Sequence, residues 1–256
     1  MSRETVPNRS EIPETFKFNL KALFVTPAAW EQEVNALEDA IGVLSAFEGR
    51  LGESPQILAT ALDVLAGLIN RLGKVYTYAS LSYAVDLRDQ EAAMAAGRAR
   101  ALFSQFMAAQ AFLDPELLFI GEEKLQRWMD EVERLRVLKH YADDLFRKQA
   151  HVRSVEVEQI MGLLGDPFSG VSETASVLTD ADFVFEPAVA SDGTELEVTQ
   201  GSLKGILASP DRQARRTAYE HYCDQYLAYK NTLTSALATS IKQNVLTMRV
   251  RRYDST

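Results

Sequence analysis

Apolar residues in this chain recur at steps of three and four over most of its length, the period of helices with one buried face. Trp30, Val34, Leu37, Ile41, Leu44 and Phe47 trace the first such face. Gly49 and Gly52 close it, because glycine enters the left-handed conformation that ends helices. Leu58, Leu62, Leu65, Ile69, Leu72, Tyr76, Ala79 and Tyr83 continue the alternation over more than three heptads. A stripe of that length predicts antiparallel packing against neighbouring helices. A coiled-coil dimer seam is the alternative, but the apolar residues between these positions widen the face toward a bundle core.

Further helices are expected from Glu91 to Phe112, with Asp114-Pro115 interrupting as cap and first-turn proline, and again along Leu125, Trp128, Met129, Val132 and Leu135 and then Leu138, Tyr141 and Leu145. Ser154 reads as an N-cap, with Glu156 and Glu158 where the helix dipole favours negative charge. Gly165-Asp166-Pro167 reads as a turn before a short helix over 171–178. The period then changes. Phe183, Phe185 and Val189 share a parity, Leu196 and Val198 follow, and the Asp192-Gly193 tip between them suits a tight turn, so a β-hairpin is expected over 183–198. Pro187 marks it as an edge or bulged strand. Ser209-Pro210-Asp211 restarts a helix carrying the stripe Tyr219, Tyr222, Tyr226 and Tyr229, read as core packing, and Leu233, Leu237, Ile241, Val245 and Met248 extend the helical period. The first two dozen residues, broken by Pro7 and Pro13, read as an arm. Asp254, Ser255 and Thr256 are N-cap residue types and predict a further helix.

The predicted fold is all-α, a bundle-like helical array with one small β-hairpin around residues 183–198. Composition agrees with a packed core: 46% of the 256 residues are hydrophobic and 25% charged. A formal charge of −9 argues against nucleic acid. The basic groups Arg212, Arg215, Arg216 and Arg249, Arg251, Arg252 read as solvated helix faces. The single cysteine, Cys223, excludes an internal disulfide. The polar start, Met1 to Pro7, lacks the apolar run of a signal peptide, and no stretch approaches a membrane span, so a cytoplasmic protein is expected.

The motifs of common catalytic sites fail one by one in this chain. A helical zinc site needs two histidines one turn apart with glutamate after the first, so that both rings reach one metal and the carboxylate activates water. Here His140, His151 and His221 are followed by Tyr141, Val152 and Tyr222. A di-iron bundle wants glutamate three residues before histidine, where Val137, Lys148 and Ala218 stand. His140 and Asp144 share a helix face but read as a surface hydrogen bond. Cys223, two residues after His221, points away from it and reads as a buried structural cysteine. Asp143 and Asp144 read as exposed charge. Gly67 through Gly73-Lys74 has the wrong spacing for a phosphate loop and lies inside the long stripe. The residues therefore give no catalytic, cofactor-binding or metal site.

The order of segments carries more. Phe18-Asn19-Leu20-Lys21-Ala22-Leu23-Phe24 precedes Trp30; Phe47-Glu48-Gly49-Arg50-Leu51-Gly52 and Val75-Tyr76-Thr77-Tyr78-Ala79-Ser80-Leu81 follow. Next stand Lys139-His140-Tyr141 through Leu145-Phe146-Arg147, then the hairpin from Ala181-Asp182-Phe183 to Thr199-Gln200-Gly201. Ser209-Pro210-Asp211-Arg212, Tyr229-Lys230-Asn231-Thr232-Leu233 and Arg249-Val250-Arg251-Arg252-Tyr253-Asp254-Ser255 complete the series. It resembles the N-terminal part of the oligoendopeptidase F family, a branch of the thimet-oligopeptidase-like zinc metallopeptidases.

The resemblance implies a nearly all-helical enzyme that hydrolyses short peptides in a deep channel between two halves. Its zinc would be held by His-Glu-x-x-His and a later glutamate, residues this chain lacks, so no catalytic or metal role passes to any position here. It further implies an arm at 1–24, a helical N-terminal domain at 25–181, and the hairpin and first helices of an incomplete peptidase domain at 182–256. The expected partners are the missing C-terminal catalytic half and, in the complete enzyme, short peptides. The chain alone is expected to be inactive. Alternatives are a stand-alone helical binding or scaffold module, or one chain of a split peptidase.

Overall fold

A computed structural model describes residues 3–4, 7 and 9–256. Of the polar start, Met1, Ser2, Thr5, Val6 and Asn8 lie outside the described residues. The chain divides into two compact units, one of residues 19–170 and 241–256, the other of residues 1–18 and 171–240.

In the larger unit, α1 (Pro27–Ile41) starts where Thr26 accepts a hydrogen bond from the Ala29 N–H (3.1 Å). Proline at the first position costs nothing there, since its missing donor would be unpaired anyway. The long helix α2 (Pro55–Tyr83) starts identically, with Ser54 as cap. The helices α3 (Gln90–Ala109), α4 (Leu113–Ile120), α5 (Glu122–Glu131), α6 (Lys139–Arg147) and α7 (Val155–Leu163) follow. One core joins Trp30, Leu37, Leu65, Leu102, Phe106 and Leu125, among others. The indole N–H of Trp30 donates to the Val75 carbonyl (3.0 Å), so even the core's largest ring has its polar atom satisfied.

The buried face of α2 keeps Leu58, Leu65, Leu72 and Ala79 of the expected stripe but takes its other members from one residue earlier. Ala61, Leu68 and Val75 are buried, whereas Ile69 and Tyr76 are 52% and 41% exposed. Both sets fit a 3–4 alternation around Leu58, Leu65, Leu72 and Ala79. Packing between α1 and α3 selects the set with the smaller side chains. Asp114 is not the cap of α4: Phe112 takes that position and Asp114 sits inside the first turn. Ser154 stands at the N-cap of α7, but its side chain makes no cap hydrogen bond. The expected turn at 165–167 is helical. The helix α8 (Gly165–Val177) begins six residues early, because Pro167 falls in its first turn, where no intrahelical donor is needed.

The smaller unit carries a three-stranded sheet in the order β1 (Arg3–Glu4), β3 (Glu195–Leu196), β2 (Ala188–Val189). The expected hairpin is there, turning at Gly193 with φ +84°, but it pairs over only two rungs. The strand β1 joins β3 in parallel, a pairing that the irregular start of the chain did not announce. After the hairpin come α9 (Leu203–Leu207), unmarked by any periodic pattern, α10 (Arg212–Ala228) and α11 (Lys230–Arg251). Asp211, not Ser209, caps α10, accepting from the N–H groups of Gln213 (2.8 Å) and Ala214 (3.1 Å). The Ser191 N–H and hydroxyl bind the other Asp211 oxygen. These four bonds hold the carboxyl down at about 2, the Ser191 hydroxyl contributing most.

Candidate functional site

The residues singled out from sequence are spent on structure. Asp144 pairs with Arg147 and Lys148 rather than with His140. The His221 ring faces the carbonyls of Glu186 and Pro187, while Cys223 lies near Tyr219, so histidine and thiol do point apart. Cys223 is half-buried, not fully buried as expected. Gly67 and Gly73 lie within α2. Of the basic groups, Arg212, Arg216, Arg249 and Arg252 are exposed helix-face residues, while Arg215 and Arg251 are partly covered. Arg215 donates to the Ser209 and Pro210 carbonyls, Arg216 pairs with Glu220, and Arg251 is drawn into an ion pair.

That ion pair anchors a polar cluster in the larger unit. The Arg251 guanidinium makes two parallel bonds to Glu158 (3.0 and 2.8 Å), whose carboxylate also accepts the Arg153 N–H (2.9 Å). Side-chain exposure is 12% at Glu158 and 31% at Arg251. Nearby, the Tyr141 hydroxyl donates to Asp114. Burial pushes the Asp114 carboxyl above its usual range, the Tyr141 bond opposes that, and the Glu158 charge adds to it. Burial and the bond to Asp114 likewise push the Tyr141 phenol up. Four helices meet here, with Asp114 from α4, Tyr141 from α6, Glu158 from α7 and Arg251 from α11. Two small cavities, of about 250 and 430 Å³, share Asp114, Tyr141 and Arg251 in their walls.

The same cluster terminates α11. His151 Nδ1 donates to the Arg251 carbonyl (3.0 Å), which fixes that nitrogen as the protonated one of the ring. Its ring stacks on Tyr253, with centroids 3.7 Å apart. Arg252 is held at φ +59°, a conformation costly for a side-chain-bearing residue, and the Tyr253 N–H returns to the Met248 carbonyl (3.0 Å). Sequence reasoning missed the cluster because Asp114, Tyr141, Glu158 and Arg251 are 17 to 137 positions apart and each is an ordinary helix-surface residue by type. No local signal marked Glu158, which stands between Glu156 and Gln159 as one more polar residue of a helix start.

In the smaller unit the tyrosine stripe splits. Tyr222 stacks flat on Phe185 (5.0 Å, 7°), and Phe183 meets Tyr226 edge-on (5.0 Å). Burial, then the Tyr222 hydroxyl, lifts the Tyr226 phenol to about 12. Tyr219, at 61% exposed, lies outside this cluster. The core-packing expectation therefore holds for the middle of the stripe and not for its start. Among the described residues no group of three histidine, cysteine or acidic side chains is placed to hold a metal ion.

Comparison with known proteins supplies what the geometry does not. The Oligopeptidase F family model matches residues 116–185. Oligopeptidase PepF of Bacillus subtilis is 31% identical over 98% of this chain, which spans 37% of that protein. Group B oligopeptidase PepB of Streptococcus agalactiae is 32% identical over 97% of the chain and 41% of its own length. The crystal structure of oligoendopeptidase-F from Enterococcus faecium superposes with a TM-score of 0.82 at 25% identity, over 90% of this chain and 45% of that one. Nearly the whole chain is thus similar to the N-terminal part of oligoendopeptidase F proteins. It spans about two fifths of the length of the curated relatives it matches. The segment matched by the oligoendopeptidase F model contains Tyr141, His151 and Glu158, so much of the cluster that ends α11 lies inside it.

Proposed function

We propose that this chain is the non-catalytic N-terminal portion of a zinc-dependent oligoendopeptidase and forms one wall of a channel that admits short, flexible peptides. The observation that carries this reading is the coverage: relatives named as oligopeptidases match nearly all of the chain with about two fifths of their own length. The chain's own chemistry supports it. His151 and His221 bond main-chain carbonyls, and Asp114, Asp144 and Glu158 are taken by neighbouring side chains. Zinc, implied by the resemblance, does not fit the residues present, and no chemical step is assigned to them.

On this reading a helical domain at 25–181 is followed at 182–256 by the start of the peptidase domain. The change from helix to hairpin near Phe183, and a family match ending at 185, support that division. The absence of any helix long and apolar enough to cross a membrane, among the described residues, is compatible with the cytoplasmic location proposed for it. Leu237 and Ile241, one turn apart, are exposed on the same side of α11, which has no buried residue. Such a face suits a partner, either the remainder of the enzyme or a separate chain carrying the zinc half.

The test compares the purified chain with the full-length protein for bound zinc and for hydrolysis of a quenched fluorescent peptide. Zinc and turnover are expected in the full-length protein alone. Zinc-dependent turnover by the chain itself would overturn the reading. A native mass of 28.5 kDa in the source cells would favour the split or scaffold alternative.

A further inference from the structure

The long helix α2 carries two apolar seams, and the larger unit fills only one of them. The first, through Leu58, Ala61, Leu65, Leu68, Leu72 and Val75, is buried in the core. The second runs beside it through Leu62, Ala66, Ile69, Gly73, Tyr76 and Ser80, again at alternating steps of four and three. Such steps repeat every seven residues, the period at which one helix lies along another. Ala66, Ile69, Gly73 and Tyr76, the middle of this seam, are exposed, while Leu62 and Ser80 at its ends are half-buried. No charged side chain interrupts it.

The neighbouring helix extends the open surface. The Tyr76 ring meets Phe103 of α3 with centroids 6.0 Å apart, and Met107 lies one turn beyond Phe103 on the same helix. Phe103 and Met107 are 41% and 38% exposed. With Ile69 and Tyr76 they leave on the order of 400 Å² of apolar surface open, as much as the largest patch of an ordinary monomer. A standard interface buries ~800 Å² per partner, a little over half of it apolar, so this patch has the size of the apolar centre of one.

The seam also specifies its occupant. Leu62, Ile69 and Tyr76 hold one heptad position and the small residues Ala66, Gly73 and Ser80 the other. An antiparallel copy of α2 with Ile69 set against Gly73 places Tyr76 against Ala66 and Leu62 against Ser80, and the two-fold axis repeats each pair. A parallel copy in register would set large against large. Gly73 favours close approach from outside. A β-carbon added there meets nothing within 4 Å, so the chain's own packing does not account for glycine, the poorest helix former after proline, in the middle of α2. We propose that two copies of this chain associate through the second seam of α2, antiparallel about a two-fold axis, with Phe103 and Met107 at its flank. The proposal goes beyond the peptidase reading and does not rest on it, because association is measured without turnover.

The experiment is sedimentation velocity on the 256-residue chain and on the full-length protein over roughly 1–100 µM. Both are expected to double their mass within this range. Ile69→Lys puts a charge into the seam and should weaken association at least about tenfold. Gly73→Leu fills the notch that Ile69 of the other copy would occupy and should weaken it as much, while leaving the monomer at least as stable. A chain that stays at 28.5 kDa throughout, or a pair that both variants leave intact, would overturn the proposal. Pairing of the 256-residue chain without pairing of the full-length protein would also overturn it, since the remainder of the enzyme would then be what covers the seam. Should Ile69→Lys unfold, Gly73→Leu decides alone.

Discussion

Replacing Gly162 by alanine puts a methyl group where α7 and α3 leave no room for one. A β-carbon built there lies 2.7 Å from the Ala108 nitrogen, 2.9 Å from the Met107 carbonyl carbon and 3.0 Å from the Ala108 α-carbon. All three belong to the main chain of α3, so no side chain can swing aside. Restoring ordinary contact near 3.5 Å moves one helix by about 0.8 Å. Overpacking of this kind costs about 1–3 kcal/mol. Alanine returns up to ~1 kcal/mol of helix propensity, so the variant must be judged against a glycine whose replacement meets nothing. Gly67, inside α2, has no atom within 4 Å of its built β-carbon. Gly162→Ala is expected to be less stable than Gly67→Ala by about 1–3 kcal/mol, or roughly 2–4 °C in Tm for each kcal/mol. Both tryptophans, Trp30 and Trp128, lie in the larger unit, so fluorescence during urea denaturation reports on it alone. A Gly162→Ala protein as stable as Gly67→Ala would refute the close crossing of α7 on α3.

Further outcomes concern the polar residues. Arg251→Ala leaves Glu158 with an uncompensated, largely buried charge and should destabilise the larger unit by about 2 kcal/mol, less than the ~3–5 kcal/mol at fully buried pairs because Arg251 is partly exposed. Arg251→Lys should recover only part of this, since one ammonium cannot reproduce two parallel bonds, and a double-mutant cycle with Glu158→Gln measures the coupling. Asp114→Asn keeps an acceptor for the Tyr141 hydroxyl and removes a charge that burial disfavours, so it should raise stability at pH 7. Because the folded Asp114 pKa is raised, its penalty is absent below the unfolded value and grows as pH rises through the folded one, so the variant's advantage should vanish in acid. Asp211 has the opposite sign. Its carboxyl is held at about 2, so the stability it contributes is present above the unfolded value near 4 and lost as pH falls toward 2. Asp211→Ala should flatten that part of the pH–stability curve, followed by circular dichroism.

The longer helices were legible because they carry their own instructions: Thr26-Pro27, Ser54-Pro55 and Asp89 supply caps, and apolar steps of three and four supply the buried face. The hairpin was legible from Asp192-Gly193, and the kinship from the order of segments, which no single local pattern carries. What the sequence left open is what depends on partners far along the chain. The face of α2 was ambiguous because Leu68 and Ile69 are equally apolar, and only the neighbours α1 and α3 decide which is covered. Asp114 could be a cap by type, and only the fold brings Tyr141 to it. Arg251 looks like one of a basic run until α7 places Glu158 against it. The early end of the hairpin ladder likewise needs His221, 35 residues after Glu186, to draw two carbonyls away. Local periodicity and capping fix elements through interactions within a turn or two. Registers, pairings and cavities follow from long-range packing, and only the tertiary structure sets those.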